Sequence, residues 1–164
     1  MNDKSKRISK VAKLVSYNFL SVLLSENSLI KLGDFYANVE SRKLAREWFA
    51  LQFYLMIWAI SSIYKEDPVG IEISNDFRIY AIEGLTEAGV YSSKEEAQDF
   101  IKSRIDTYEK VFTSKSDNPL MNISIQFLKY LEQEDALLLI NTGEQVSTFL
   151  QANVKLVKEA SLAK

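Results

Sequence analysis

Seventeen consecutive residues, Trp48 to Tyr64, carry no formal charge and include five large aromatic side chains by residue 58. A helix that is apolar almost all round has no wet face, so it belongs inside protein or inside lipid. Seventeen residues is the lower limit for crossing a bilayer, and Arg42, Lys43 and Arg46 precede the run as a cytoplasmic flank would. Gln52, Ser61 and Ser62 interrupt it, however, and the single apolar stripes elsewhere in the chain need a common partner. The expectation is therefore no membrane span but a buried central helix over 41–64, capped by Ser41 and stopped at Asp67-Pro68.

The flanking sequence supplies the wrapping. Ile8, Val11, Ala12, Val15, Phe19, Val22 and Leu23 step by three and four, predicting a first helix from about Ser5 to Ser25. Gly33 and Asp34 leave 28–40 as a short helical piece or a loop, and 69–73 alternates like a strand but has no partner strand, so it reads as a connector. Further helices are expected from about Ser74 to Ala88, after the capping box Ser93-Lys94-Glu95-Glu96, and after Asn118-Pro119. The 119 helix either continues into Leu137–Ile140 or bends before it; Thr142-Gly143-Glu144-Gln145 has the form of another capping box, opening a last helix. With no Pro/Ser linker and no repeat, residues 1–164 read as one all-α domain, a bundle of about six helices.

Composition excludes more function than it supports. The chain has no cysteine and no histidine, which removes disulfides, thiol nucleophiles, Ser-His catalysis and the usual imidazole or thiolate metal sites. Five glycines at 33, 70, 84, 89 and 143 are too scattered for a phosphate-binding loop, so no cofactor is expected. The stretch after Leu24 lacks a small-x-small cleavage site, and a cytoplasmic location is the expectation.

Charge is split. Residues 1–13 sum to +4, which leaves −6 for the remainder, and most of that deficit lies in 65–99. An acidic body argues against nucleic acid as the partner. Lys6, Lys10 and Lys13 share one face of the first helix and form a candidate contact surface, for which the acidic 65–99 segment of a second copy is one fitting partner.

Three functional readings follow. The first is a non-catalytic protein-interaction domain, homo-oligomeric, using the basic head. The second is a domain that binds an apolar or aromatic small molecule beside Trp48, Tyr54 and Trp58, since such side chains line pockets between helices. The third is a divalent-metal-dependent phosphohydrolase using Glu83, Glu87, Glu96 and Asp99. In all-α nucleotide pyrophosphohydrolases, facing helices with E-x-x-E and E-x-x-D hold magnesium. Glu96-x-x-Asp99 fits that spacing, but Glu83 and Glu87 are four apart, so the match is partial.

Overall fold

The computed structural model describes residues 3–65, 67–114 and 117–162, with the side chains of residues 3 and 27–30 left aside. Among the described residues there are seven helices and no strand: α1 (Asp3–Leu23), α2 (Glu26–Phe35), α3 (Ser41–Tyr64), α4 (Pro68–Glu87), α5 (Lys94–Phe112), α6 (Pro119–Tyr130) and α7 (Ala136–Leu162). The fold is an all-α bundle, and no described helix is long and apolar enough to cross a membrane.

The helix starts show why the chain breaks where it does. Asp67 accepts from the Val69 amide at 2.8 Å, with Pro68 in the first helical position. Ser93 accepts from the Glu96 amide at 3.1 Å, while the Glu96 carboxylate reaches back to the Ser92 amide at 2.8 Å. Asn118 caps α6 through the Met121 amide at 3.1 Å. Gly89, at φ 74°, closes α4 in the left-handed conformation that glycine adopts without penalty.

One open alternative is decided and three expectations are corrected. The 28–40 ambiguity resolves into α2 over Glu26–Phe35. Residues 69–73 are not a connector: the Asp67-Pro68 start carries α4 straight through them, burying Gly70 and Ile73 while Ile71 stays 61% exposed. Glu40, not Ser41, caps α3, because its two carboxylate oxygens reach the Arg42 and Lys43 amides at 2.9 and 2.7 Å. Thr142 opens no helix: Asp135 caps α7 through the Leu137 and Leu138 amides. Thr142 is buried one and a half turns in, and its hydroxyl meets Tyr36 Oη at 2.7 Å.

The outer helices form a closed ring, in which α1 packs on α4, α4 on α5, α5 on α6, α6 on α7, and α7 back on α1. Inside it, α3 touches α4, α5, α6 and α7 and meets α1 through the Phe19–Phe53 ring contact at 6.1 Å. No residue from Glu47 to Met56 is exposed. Three aromatic groups bind α3 to its wrapping. Phe53 joins Phe19 and Phe77. Trp48 takes Phe127 and Phe149 edge-on at 5.7 and 5.3 Å. Tyr54 and Trp58 pack on Tyr108 and Phe112. Each edge-to-face pair adds directionality to simple area burial and fixes the rotation of α3 within the ring.

Candidate functional sites

The densest polar constellation lies between α3 and α5. Glu96, Phe100 and Arg104 recur every fourth residue on α5, so they form one column facing Arg46 and Glu47 of α3. Arg104 binds Glu47 with two parallel bonds, Nε to Oε2 at 2.7 Å and Nη2 to Oε1 at 2.6 Å. Arg46 pairs with Glu96 at 2.7 Å. The guanidinium of Arg46 lies 5.0 Å from the Tyr91 ring and 4.6 Å from Phe100; that of Arg104 lies 4.5 Å from Phe100 and 3.9 Å from Tyr130. Arg46 lies over a touching pair, since the Tyr91 and Phe100 centroids are 5.7 Å apart, and Arg104 lies over Phe100 and Tyr130, so the two cations and three rings form one continuous cluster from Tyr91 to Tyr130.

An open cleft of about 380 Å³ runs along this stack, lined by Glu40, Arg42, Lys43, Arg46, Glu47, Glu96 and Phe100. Most of its charges are matched, while the Arg42 guanidinium meets the Ser92 hydroxyl at 3.4 Å. Glu40 is held below the ordinary carboxylate range chiefly by the Arg42 amide, and Glu96 chiefly by the Ser92 amide. The Arg104 guanidinium is held charged by its bonds to Glu47, and Lys43 meets Glu132 at 2.6 Å. Such a cleft fastens α3 to α5.

The second site is apolar. Leu23, Lys31, Leu32, Phe35, Trp48, Gln145 and Phe149 line a groove of about 280 Å³ between α1, α2, α3 and α7. Leu23, Leu32 and Trp48 are buried and make its floor, while Phe35, 43% exposed, and Lys31 stand at the rim. Of the three aromatics read as a ligand site, Trp48 alone lines this groove. Tyr54, six residues on, is turned about 120° round α3, and Trp58, ten residues on, stands about 15 Å further along it. There the Tyr54 hydroxyl donates to Glu109 Oε2 at 3.0 Å, and burial together with that carboxylate pushes the phenol well above its ordinary range.

The basic head lies beside an acidic segment of its own chain. α1 lies along α4, so the acidic segment that could have received it from a second copy is already its neighbour. Lys6, Lys10 and Lys13 are exposed, the Lys13 ammonium sits 5.4 Å from the centre of the Tyr80 ring, and Ser9 Oγ meets Tyr80 Oη at 3.1 Å. Arg7 donates to the Ser161 carbonyl at 3.2 Å beside a pit of about 370 Å³. Ser161 Oγ donates to the Val157 carbonyl at 2.7 Å, so the 2.6 Å contact with Tyr64 has the phenol as donor.

The carboxylates of the phosphohydrolase reading do not gather. Glu83 is tied to Lys94 and Glu96 to Arg46 and Ser92, while Glu87 and Asp99 are exposed. Among the described residues no group of three or more metal-ligating side chains comes together. No family model, curated protein or solved structure matches the chain.

The stacked arginines are what the sequence analysis missed. Glu47 immediately before an uncharged run, and Phe100 one turn before Arg104, are the signals from which they could have been read.

Proposed function

We propose that the chain is a helical binding domain without catalysis of its own, which takes a small apolar or aromatic molecule in the groove floored by Trp48. The observation that carries this reading is the contrast between the two clefts. In the polar one every carboxylate and ammonium is held by a partner within the fold. The apolar one leaves Trp48, Leu32 and Phe149 lining open space, the form that ligand sites between helices take.

Trp48 reports on its own site. In a Trp58→Phe protein the remaining indole is the groove floor, and titration with 1-aminoanthracene should quench it with saturation. Gln145→Phe, which places a ring at the groove wall, should abolish that response. Binding that Gln145→Phe leaves unchanged would refute the groove.

A second reading rests on a different face. Lys6, Lys10, Lys13 and Tyr17 follow one another at steps of four, three and four on α1, and Tyr17 is 71% exposed. An exposed aromatic ending a basic row supports protein contact there, including self-association. Light scattering at two salt concentrations should show a dimer that Tyr17→Ser dissociates; a monomer at both removes this reading.

A further inference from the structure

Two buried amides lie one helical turn beyond the floor of the groove. Trp48 and Phe149 meet across the α3–α7 seam, and Tyr64 and Ser161 meet further along it, so the two helices run in the same direction. Four residues on from each ring, and so on the same faces of α3 and α7, are Gln52 and Asn153, 1% and 8% exposed. Gln52 Nε2 and Asn153 Nδ2 find no acceptor among the described residues. Buried donors are almost always paired, and a buried NH2 group left unmet forfeits its hydration with no return. Two of them, each one turn on from a ring that lines the apolar groove, make a place for an acceptor.

We propose that the groove's occupant is a flat, uncharged apolar molecule with one hydrogen-bond acceptor at its leading edge, of the heteroaromatic or aryl-carbonyl class. Its ring lies against Trp48, and its acceptor receives the amide hydrogens of Gln52 and Asn153. This rests on the groove reading above and adds the chemistry that the groove selects. The amides are not part of the groove wall, so the half-buried Phe149 ring is the side chain that turns aside on entry. An anionic acceptor is disfavoured, because it would carry an unpaired charge into a core where the facing groups are neutral amides. Lys31, the groove's cation, stays out at the rim.

Quinoline and naphthalene separate the possibilities, because they share a shape and differ by one ring nitrogen. Both are titrated into the Trp58→Phe protein and followed by Trp48 emission at neutral pH. Quinoline is expected to bind about tenfold tighter, as sites with buried polar groups reject the analogue that leaves them unpaired. Gln52→Leu and, independently, Asn153→Leu should reduce or reverse that preference while naphthalene still binds. Equal affinities in the parent protein, or tighter naphthalene, overturn the acceptor and leave the groove standing. If neither probe quenches Trp48, groove and acceptor fall together. The preference in the parent protein decides the matter even if a leucine variant does not fold.

Discussion

Removing Arg104 tests the stacked arginines most sharply, because the two halves of its ion pair are unequally buried. The Glu47 side chain retains 5% of its exposure and Arg104 retains 20%. Arg104→Met leaves a carboxylate with almost no access to water, whereas Glu47→Leu leaves a guanidinium that still reaches solvent and still stacks on Phe100 and Tyr130. Breaking a buried pair by deleting one partner costs about 3–5 kcal/mol. The lower end, about 3 kcal/mol, suits Arg104→Met, since Arg104 itself is partly wet, and about 1–2 kcal/mol suits Glu47→Leu. In a chain of this size each kcal/mol moves the melting temperature by about 2–4 °C, so Arg104→Met should melt about 6–12 °C lower. The double variant should recover part of that loss, because no buried charge remains. Differential scanning calorimetry of the four proteins gives the full cycle. Equal costs for the two single variants would show that Glu47 is solvated and that this account of the ion pair is wrong.

Two glycine substitutions should act in opposite directions. Gly143 lies inside α7 with Ser124 Oγ 3.8 Å from where a Cβ would stand, so Gly143→Ala should stabilise by about 0.5–1 kcal/mol. A Cβ on Gly70 would stand 2.5 Å from Tyr64 Cβ, which has no rotamer to escape into, so Gly70→Ala should cost about 1–3 kcal/mol; chemical denaturation measures both. In alkali, Tyr36, Tyr54, Tyr91 and Tyr108 are all raised above 10.0, burial being the first cause in each. Raised phenols contribute stability below their unfolded value and lose it as pH climbs, so the fold should weaken above about pH 10. Absorbance at about 295 nm should show those four ionising together with loss of the helical dichroism signal; phenolate absorbance from all eight tyrosines while the helices persist would contradict the burial.

How much of this was legible depended on range. Ser93 with Glu96 and Asn118-Pro119 act over three residues, so the helix starts they set were visible in the sequence; Asp67-Pro68 read only as a stop, and the α4 start it sets was expected at about Ser74. Thr142 misled because its spacing imitates a cap while its hydroxyl serves Tyr36, 106 positions away, and nothing local signals such a partner. Residues 69–73 misled because period-two alternation over five residues is compatible with a helix whose Ile71 points outward. The ligand reading named one helix and did not resolve its sides: six residues at about 100° each leave Tyr54 roughly 120° round the helix from Trp48, which divides one presumed cluster between two. The arginine stack needed the register of α3 against α5, a tertiary quantity that no single-sequence pattern carries.

The ring of outer helices is completed by its two most distant members. Arg7 reaches the Ser161 carbonyl across 154 positions, so the seam that seals the barrel-like jacket draws together the longest span of backbone in the domain. The entropy of gathering such a span must be met before that seam returns any energy, which makes it the natural last step of assembly. Trimming Ile8 or Val157 should accordingly speed unfolding and leave the folding rate almost untouched, so this jacket opens, when it opens, where its beginning meets its end.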